Sequence, residues 1–209
     1  MDGTQVGLRV VTPPLRSALI DVLFLCTGNI CRSPMAEALL RQRASQLSLD
    51  LRASSAGLMY DGARASDGAI EAMKRRKIDL SGHASRVVHA GMLAEADLVL
   101  CMARMHLREA IVLDRECFGR TFTVKEFVRR AEAAGPRGAE PFAEWLVRVG
   151  AGRTPSELLG DDPADEVRDP LGRSSRFYRR TADELAKLIE QVAWFVGAVV
   201  PAPADAERG

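Results

Sequence analysis

Residues 18–26 read ALIDVLFLC, and residues 27–34 continue TGNICRSP. The first segment is short, almost wholly apolar and contains β-branched and aromatic members, the pattern of a strand covered on both faces. It stops at Thr27-Gly28-Asn29, where glycine tolerates backbone dihedrals that other residues resist. A helical pattern opens near Ser33-Pro34, proline being suited to a first turn. Met35, Ala38, Leu39, Ala44 and Leu47 give that helix an apolar side, with Glu37, Arg41, Arg43 and Gln46 toward water. Strand, tight turn and helix therefore open the fold.

Working outward, the chain repeats the theme. A second strand is predicted over Leu49–Ala53, a loop over residues 54–66 (SSAGLMYDGARAS) and a helix over Asp67–Arg76. Another short helix ends at Leu93–Ala96, Asp97–Met102 reads as a buried strand, and Met105–Leu113 is helical again. Residues 122–134 (FTVKEFVRRAEAA) read as a strand or turn leading into a helix, and residues 141–150 (PFAEWLVRVG) as a short helix. Arg176–Val199 closes the chain as one helix whose Leu185, Leu188, Ile189, Val192, Phe195 and Val196 form a stripe expected to dock on the sheet. Short apolar strands alternating with helices predict an α/β fold, a parallel sheet covered on both faces. The expected organisation is a flexible leader over 1–18, a single domain over 19–199 with an insertion at about 135–166, and a flexible tail over 200–209.

Composition limits the partners. Against 29 Lys and Arg stand 28 Asp and Glu, a net charge of +1, so no broad field draws nucleic acid or an anionic membrane. The longest hydrophobic run, residues 192–200, is less than half the roughly 20 residues a spanning helix needs. The first 18 residues hold no apolar core of a signal peptide. Four cysteines in 209 residues make no disulfide framework, so free thiols and a cytoplasmic location are expected.

The chemistry concentrates in Cys26-Thr-Gly-Asn-Ile-Cys-Arg32-Ser33, a thiol and a guanidinium separated by five residues between strand and helix. Five residues can curl so that their N–H groups, closed by a helix first turn, surround a tetrahedral oxyanion. The same field stabilises a thiolate, and the Arg32 fork suits two phosphoryl oxygens at once. Zinc on Cys26 and Cys31 is set aside, since Cys101 and Cys117 do not repeat their spacing and no histidine lies close in sequence.

The stretch VLFLCTGNICRSPMAEALL resembles the signature of the low-molecular-weight protein tyrosine phosphatases. RASSAGL, MKRRKIDLSGHASR, ADLVLCMARMHLREA and EVRDPLGRSSRFYRRTADEL resemble further family segments in the same order, skipping the leader and much of 135–166. The resemblance implies a three-layer sandwich with a central, mostly parallel four-stranded sheet. It also implies phosphomonoester hydrolysis through a phosphocysteine, without cofactor or metal. By position it gives Cys26 as nucleophile, Arg32 as phosphate clamp and Asp169 as the acid that protonates the leaving oxygen. Thr27, Gly28, Asn29, Ile30, Cys31 and Arg32 form the phosphate-binding loop, with Ser33, Ser55 and His83 supporting it. Cys31 matches a cysteine that in many relatives traps the oxidised nucleophile. Expected partners are a phosphotyrosine protein or a small aryl phosphate, taken by a monomer or weak homodimer.

The departures concern the substrate slot. Leu171 and Gly172 stand where two aromatics often follow the Asp-Pro, leaving Leu171 with Met59 and Tyr60 as walls. Ala103 replaces a usual aspartate. Segment 161–170 contains two Asp-Pro pairs, and Asp169 rather than Asp162 fits because Phe177 and Tyr178 follow at the expected distance. Two other readings stay open. A thiol-dependent arsenate reductase shares the first loop; an internal relay is one that Cys101 and Cys117 are poorly placed to supply, whereas a form served by an external thiol escapes that objection. A catalytically weak phosphate-binding regulatory protein would account for Ala103, with Trp145 and Leu146 either a partner surface or the inner face of a helix.

Overall fold

The computed structural model describes residues 19–197; the leader expected over 1–18 and the tail over 200–209 lie outside them. In chain order the elements are β1 (Ile20–Cys26), α1 (Arg32–Leu47), β2 (Leu51–Gly57), α2 (Asp67–Lys74), α3 (Ala90–Glu95), β3 (Leu98–Cys101), α4 (Arg104–Leu113), β4 (Thr121–Thr123), α5 (Val124–Ala134), α6 (Phe142–Val149) and α7 (Ser175–Gly197). Short 3₁₀ turns occupy Arg115–Arg120 and Pro155–Leu158.

Side chains of β1 alternate between two cores, as a period of two requires. Ile20, Val22, Phe24 and Cys26 enter one, Leu23 and Leu25 the other. β3 does the same, with Leu98 and Leu100 on the first side and Val99 and Cys101 on the second. The first core is filled from α1, α2, α5, α6 and α7; the second takes Leu93 of α3, Leu107 and Ala110 of α4, and Cys117. Four strands in the order β2-β1-β3-β4, all pairs parallel, make the middle layer of a three-layer sandwich. Ile20 pairs with Leu51, Val22 with Leu98 and Val99 with Thr121.

Three expectations need correction. β2 begins at Leu51 and runs on to Gly57, through residues read as loop. Its buried members are Ala53, Ser55, Ala56 and Gly57, too small to mark a strand in sequence; Ala53 enters the first core with α1, and Ala56 enters the second. In α1 the buried face includes Ala36 and Leu40, Ala38 is only partly buried, and Leu47 is exposed beside a left-handed C-cap at Ser48. The stripe of α7 packs chiefly on α1, α2 and α5 rather than directly on the sheet.

Segment 135–166 joins the first core through α6. Trp145 is fully buried, edge-on to Phe127 and stacked near Phe195, and its indole N–H donates to the Gly135 carbonyl at 3.0 Å. Trp145 and Leu146 thus form the inner face of the helix, while Val147 faces out. Trp145→Ala is expected to destabilise the protein by about 3–5 kcal/mol through lost burial and the cavity left behind. The midpoint of urea unfolding checks this; a change under 1 kcal/mol would mean that α6 folds independently of the core.

Candidate active site

In the strand order β2-β1-β3-β4 the direction of addition reverses at β1, and sheets of this kind hold ligands beyond the C-terminal ends of the strands at such a point. Residues 27–31 occupy that place and lead into α1, whose N-terminus has neither a side-chain cap nor an acidic residue in its first turn. Its positive end is therefore not neutralised locally and favours an anion.

Left-handed backbone in the loop falls on Asn29, at φ 51°, not on Gly28. Asparagine is among the residues that tolerate this region, and here its side chain fixes it. The two Nδ2 hydrogens go to Ser33 Oγ at 2.9 Å and Ser55 Oγ at 2.8 Å, while Oδ1 accepts from Arg86 N–H at 2.9 Å. Its carbonyl accepts from His83 Nε2 at 2.6 Å, which fixes the proton of that ring on Nε2. Glycine is needed instead for close approach. A Cβ on Gly28 would lie 2.9 Å from the Tyr60 ring, and one on Gly57 would lie 2.7 Å from the Asn29 backbone nitrogen.

Cys26 Sγ accepts the Asn29 N–H at 3.3 Å and lies 3.0 Å from Ser33 Oγ. The direction of the second contact follows from its neighbours. The Glu37 carboxylate takes the Ser55 hydroxyl proton, Ser55 Oγ takes one Asn29 hydrogen and Ser33 Oγ takes the other. Ser33 keeps its own proton for the sulfur, with the Ala56 carbonyl at 3.4 Å the longer alternative. Glu37 also pairs with Arg41 at 2.7 Å, so it is a member of the site and not the water-facing residue its charge suggests.

Arg32 is buried at 4% exposure. It donates from Nη1 to the Val167 carbonyl at 3.2 Å, and from Nη2 to Thr27 Oγ1 at 3.3 Å and Asp169 Oδ2 at 2.5 Å. Its Nε–H is buried without a protein acceptor, a donor that a phosphoryl oxygen would satisfy. Asp169 also accepts the Leu171 N–H at 3.1 Å, and its segment is tied to the sheet where Val167 N–H reaches the Met102 carbonyl at 2.8 Å. Asp162 instead pairs with Arg104 at 3.2 Å and lines no part of this cavity.

Cys26, Thr27, Gly28, Ile30, Cys31, Arg32, Met59, Tyr60, Asp169 and Leu171 surround a cavity of about 120 Å³. Ser33, Ser55 and His83 lie behind it, through Asn29. A larger cleft of about 460 Å³, bordered by Glu37, Ser55 and Arg86, contains none of Cys26, Arg32 and Asp169. Cys31 Sγ contacts Ser66 Oγ at 3.0 Å and Tyr178 OH at 3.8 Å, and burial pushes its thiol up. His106, given no role from sequence, is fully buried with Nε2 2.9 Å from Thr27 Oγ1. Burial first, and the Arg32 charge second, push it down to about 3, so it is neutral at ordinary pH. Nothing in a helical histidine 79 residues from Thr27 announces that contact.

Residues 21–144 match the family model described as Low molecular weight phosphotyrosine protein phosphatase. The chain belongs to this family. It is accordingly a cysteine-dependent phosphomonoester hydrolase acting through a phosphocysteine intermediate. Among relatives of this phosphatase, the protein-arginine-phosphatase of Bacillus subtilis (strain 168) is 33% identical over 83% of this chain and 95% of its own length. The crystal structure of the low molecular weight protein tyrosine phosphatase from T. tengcongensis is 34% identical at a TM-score of 0.64, covering 83% of this chain and 97% of that one. A YwlE arginine phosphatase mutant with a phosphorylated active-site serine is 31% identical at a TM-score of 0.63, covering 83% and 93%. Among the described residues, no helix is long and apolar enough to cross a membrane and no cluster of His, Cys, Asp and Glu is arranged to hold a metal.

Proposed function

We propose that this phosphatase hydrolyses phosphotyrosine on proteins, and small aryl phosphates, with Cys26 as nucleophile, Arg32 as phosphate clamp and Asp169 as acid and base. The observation that carries the reading is that these three residues line one small cavity whose remaining walls, Met59, Tyr60 and Leu171, are apolar or aromatic. An entering phosphoryl group takes the Arg32 donors and releases Asp169 from its ion pair, and the freed carboxylate takes a proton from solvent. Cys26 sulfur then bonds to phosphorus while the P–O bond to the phenol breaks, and Asp169, as carboxylic acid, gives its proton to the departing oxygen. The resulting carboxylate accepts a proton from the water that attacks the phosphocysteine, so phosphate leaves and the thiolate returns.

Phosphoarginine is the second reading, favoured by the long alignment with the arginine phosphatase. The cavity supplies only Asp169 as a carboxylate, which the leaving group already uses, and offers no further acid to a guanidinium. With the same peptide carrying either residue, kcat/KM for phosphotyrosine is expected to exceed that for phosphoarginine by roughly tenfold or more. The reverse ratio would assign the chain to arginine. An arsenate reductase with an internal relay is disfavoured, since Cys101 and Cys117 are fully buried in the core across the sheet and burial pushes both thiols up; one served by an external thiol is tested by arsenate-dependent thiol consumption. Turnover of an activated aryl phosphate would likewise exclude a purely regulatory role.

A further inference from the structure

A groove of about 590 Å³ runs between α2 and α7, bordered by Ala72, Arg75, Arg76, Arg176, Arg179, Arg180, Ala182 and Asp183. Five of these eight residues are arginines, in a chain whose net charge is only +1. Lys74, Lys77 and Arg173 stand close to them in sequence, so the two short segments 74–77 and 173–180 carry eight cations between them. The single carboxylate of the groove, Asp183, is taken by Arg76 at 2.5 Å. Arg75, Arg176, Arg179 and Arg180 are exposed and have no hydrogen-bond or ion-pair partner among the described residues. Their charges are not paired within the fold, and an anion in the groove would relieve their mutual repulsion.

The two helices that form the groove both begin near the cavity. Tyr178, adjacent to Arg179, contacts Cys31 of the phosphate loop, and α7 begins four residues after Leu171 of the cavity wall. On the other bank, Ser66 also contacts Cys31, and Arg75 lies nine residues further along. At a rise of 1.5 Å per residue that is about 13 Å, or about four residues of extended peptide. No aromatic side chain borders the groove on which a base could stack, which favours carboxylates over nucleic acid.

We propose that this groove docks an acidic segment of the phosphoprotein substrate, about four residues from the phosphorylated side chain; the inference rests on the hydrolase reading above and adds a substrate preference to it. Arginine forks pair with Asp and Glu carboxylates bidentately, and two to three exposed pairs amount to roughly tenfold in affinity.

The test uses the full chain and two phosphotyrosine peptides that differ only in a run of Asp and Glu, or of Ser and Gln, placed four residues away. Wild type is expected to show about tenfold higher kcat/KM for the acidic peptide, through KM. Arg75→Glu/Arg179→Glu abolishes that advantage, 0.5 M salt shrinks it, and p-nitrophenyl phosphate turnover is unchanged. Fluorescence anisotropy with the unphosphorylated acidic peptide reads the groove without turnover, so it is judged apart from the p-nitrophenyl phosphate assay that judges the hydrolase. Equal kcat/KM for both peptides, an advantage that survives in the double variant, or a mixed-sequence RNA binding as tightly as the acidic peptide would overturn the proposal.

Discussion

Cys26→Ser is expected to lower turnover of every phosphate monoester by roughly 10⁴–10⁶-fold, activated or not. The sulfur sits at the end of β1, where the Asn29 N–H points at it and the Ser33 hydroxyl is left to donate to it. Those donors face the atom that attacks phosphorus. A serine hydroxyl is a far weaker nucleophile than cysteine sulfur, and among the described residues no general base lies within the contacts of Cys26 to take its proton. The fold has no reason to change, since oxygen is smaller than sulfur and the loop is held by Asn29, His83 and Arg86 rather than by residue 26. Phosphate binding measured by calorimetry should therefore survive while turnover vanishes. Residual kcat within tenfold of wild type would remove Cys26 from the mechanism.

What could be read from sequence follows the range of the interactions. β1 is legible because both its faces are buried and every position but Asp21 is apolar. Cys26 and Arg32 are legible because one tight turn joins them. β2 is not, since Ala53, Ser55 and Gly57 are buried because they let α1 and residues 27–29 come close, a requirement of the partner surface. Asp169 lies 137 residues from the guanidinium it pairs with, and only resemblance to a family separates it from Asp162. His106 is beyond reach for the same reason. Glu37 shows a different failure: its charge suggests solvent, yet a buried serine–asparagine chain needs an acceptor at its end, and the fourth residue after Ser33 supplies it.

Asp169→Asn should discriminate between leaving groups. Nitrophenolate departs readily as an anion, whereas the phenolate of tyrosine is far more basic and needs a proton as the P–O bond breaks. Hydrolysis of the phosphocysteine, where Asp169 acts as base, is common to both esters and lowers kcat on both, so it is kcat/KM, which reports the first transfer, that isolates the acid step. The expected loss in kcat/KM is modest for p-nitrophenyl phosphate and roughly 10²–10⁴-fold for phosphotyrosine. Asparagine preserves the shape and can still accept the Leu171 N–H, but it presents no charge to Arg32, which Asp169 holds at 2.5 Å. Arg32 then meets the phosphoryl group with less competition, so KM should hold steady or fall while kcat drops, the opposite of what lost binding would produce. Asp162→Asn is the control: Asp162 shares Arg104 with Asp165 outside the cavity, and its loss leaves the 2.8 Å pair with Asp165 in place. That variant should keep both activities within about twofold, in line with the small worth of an exposed ion pair. An equal drop in kcat/KM on both esters in Asp169→Asn, or the leaving-group pattern appearing in Asp162→Asn instead, would move the acid away from Asp169, because only a group that donates its proton to the leaving oxygen makes the penalty grow with the basicity of that oxygen.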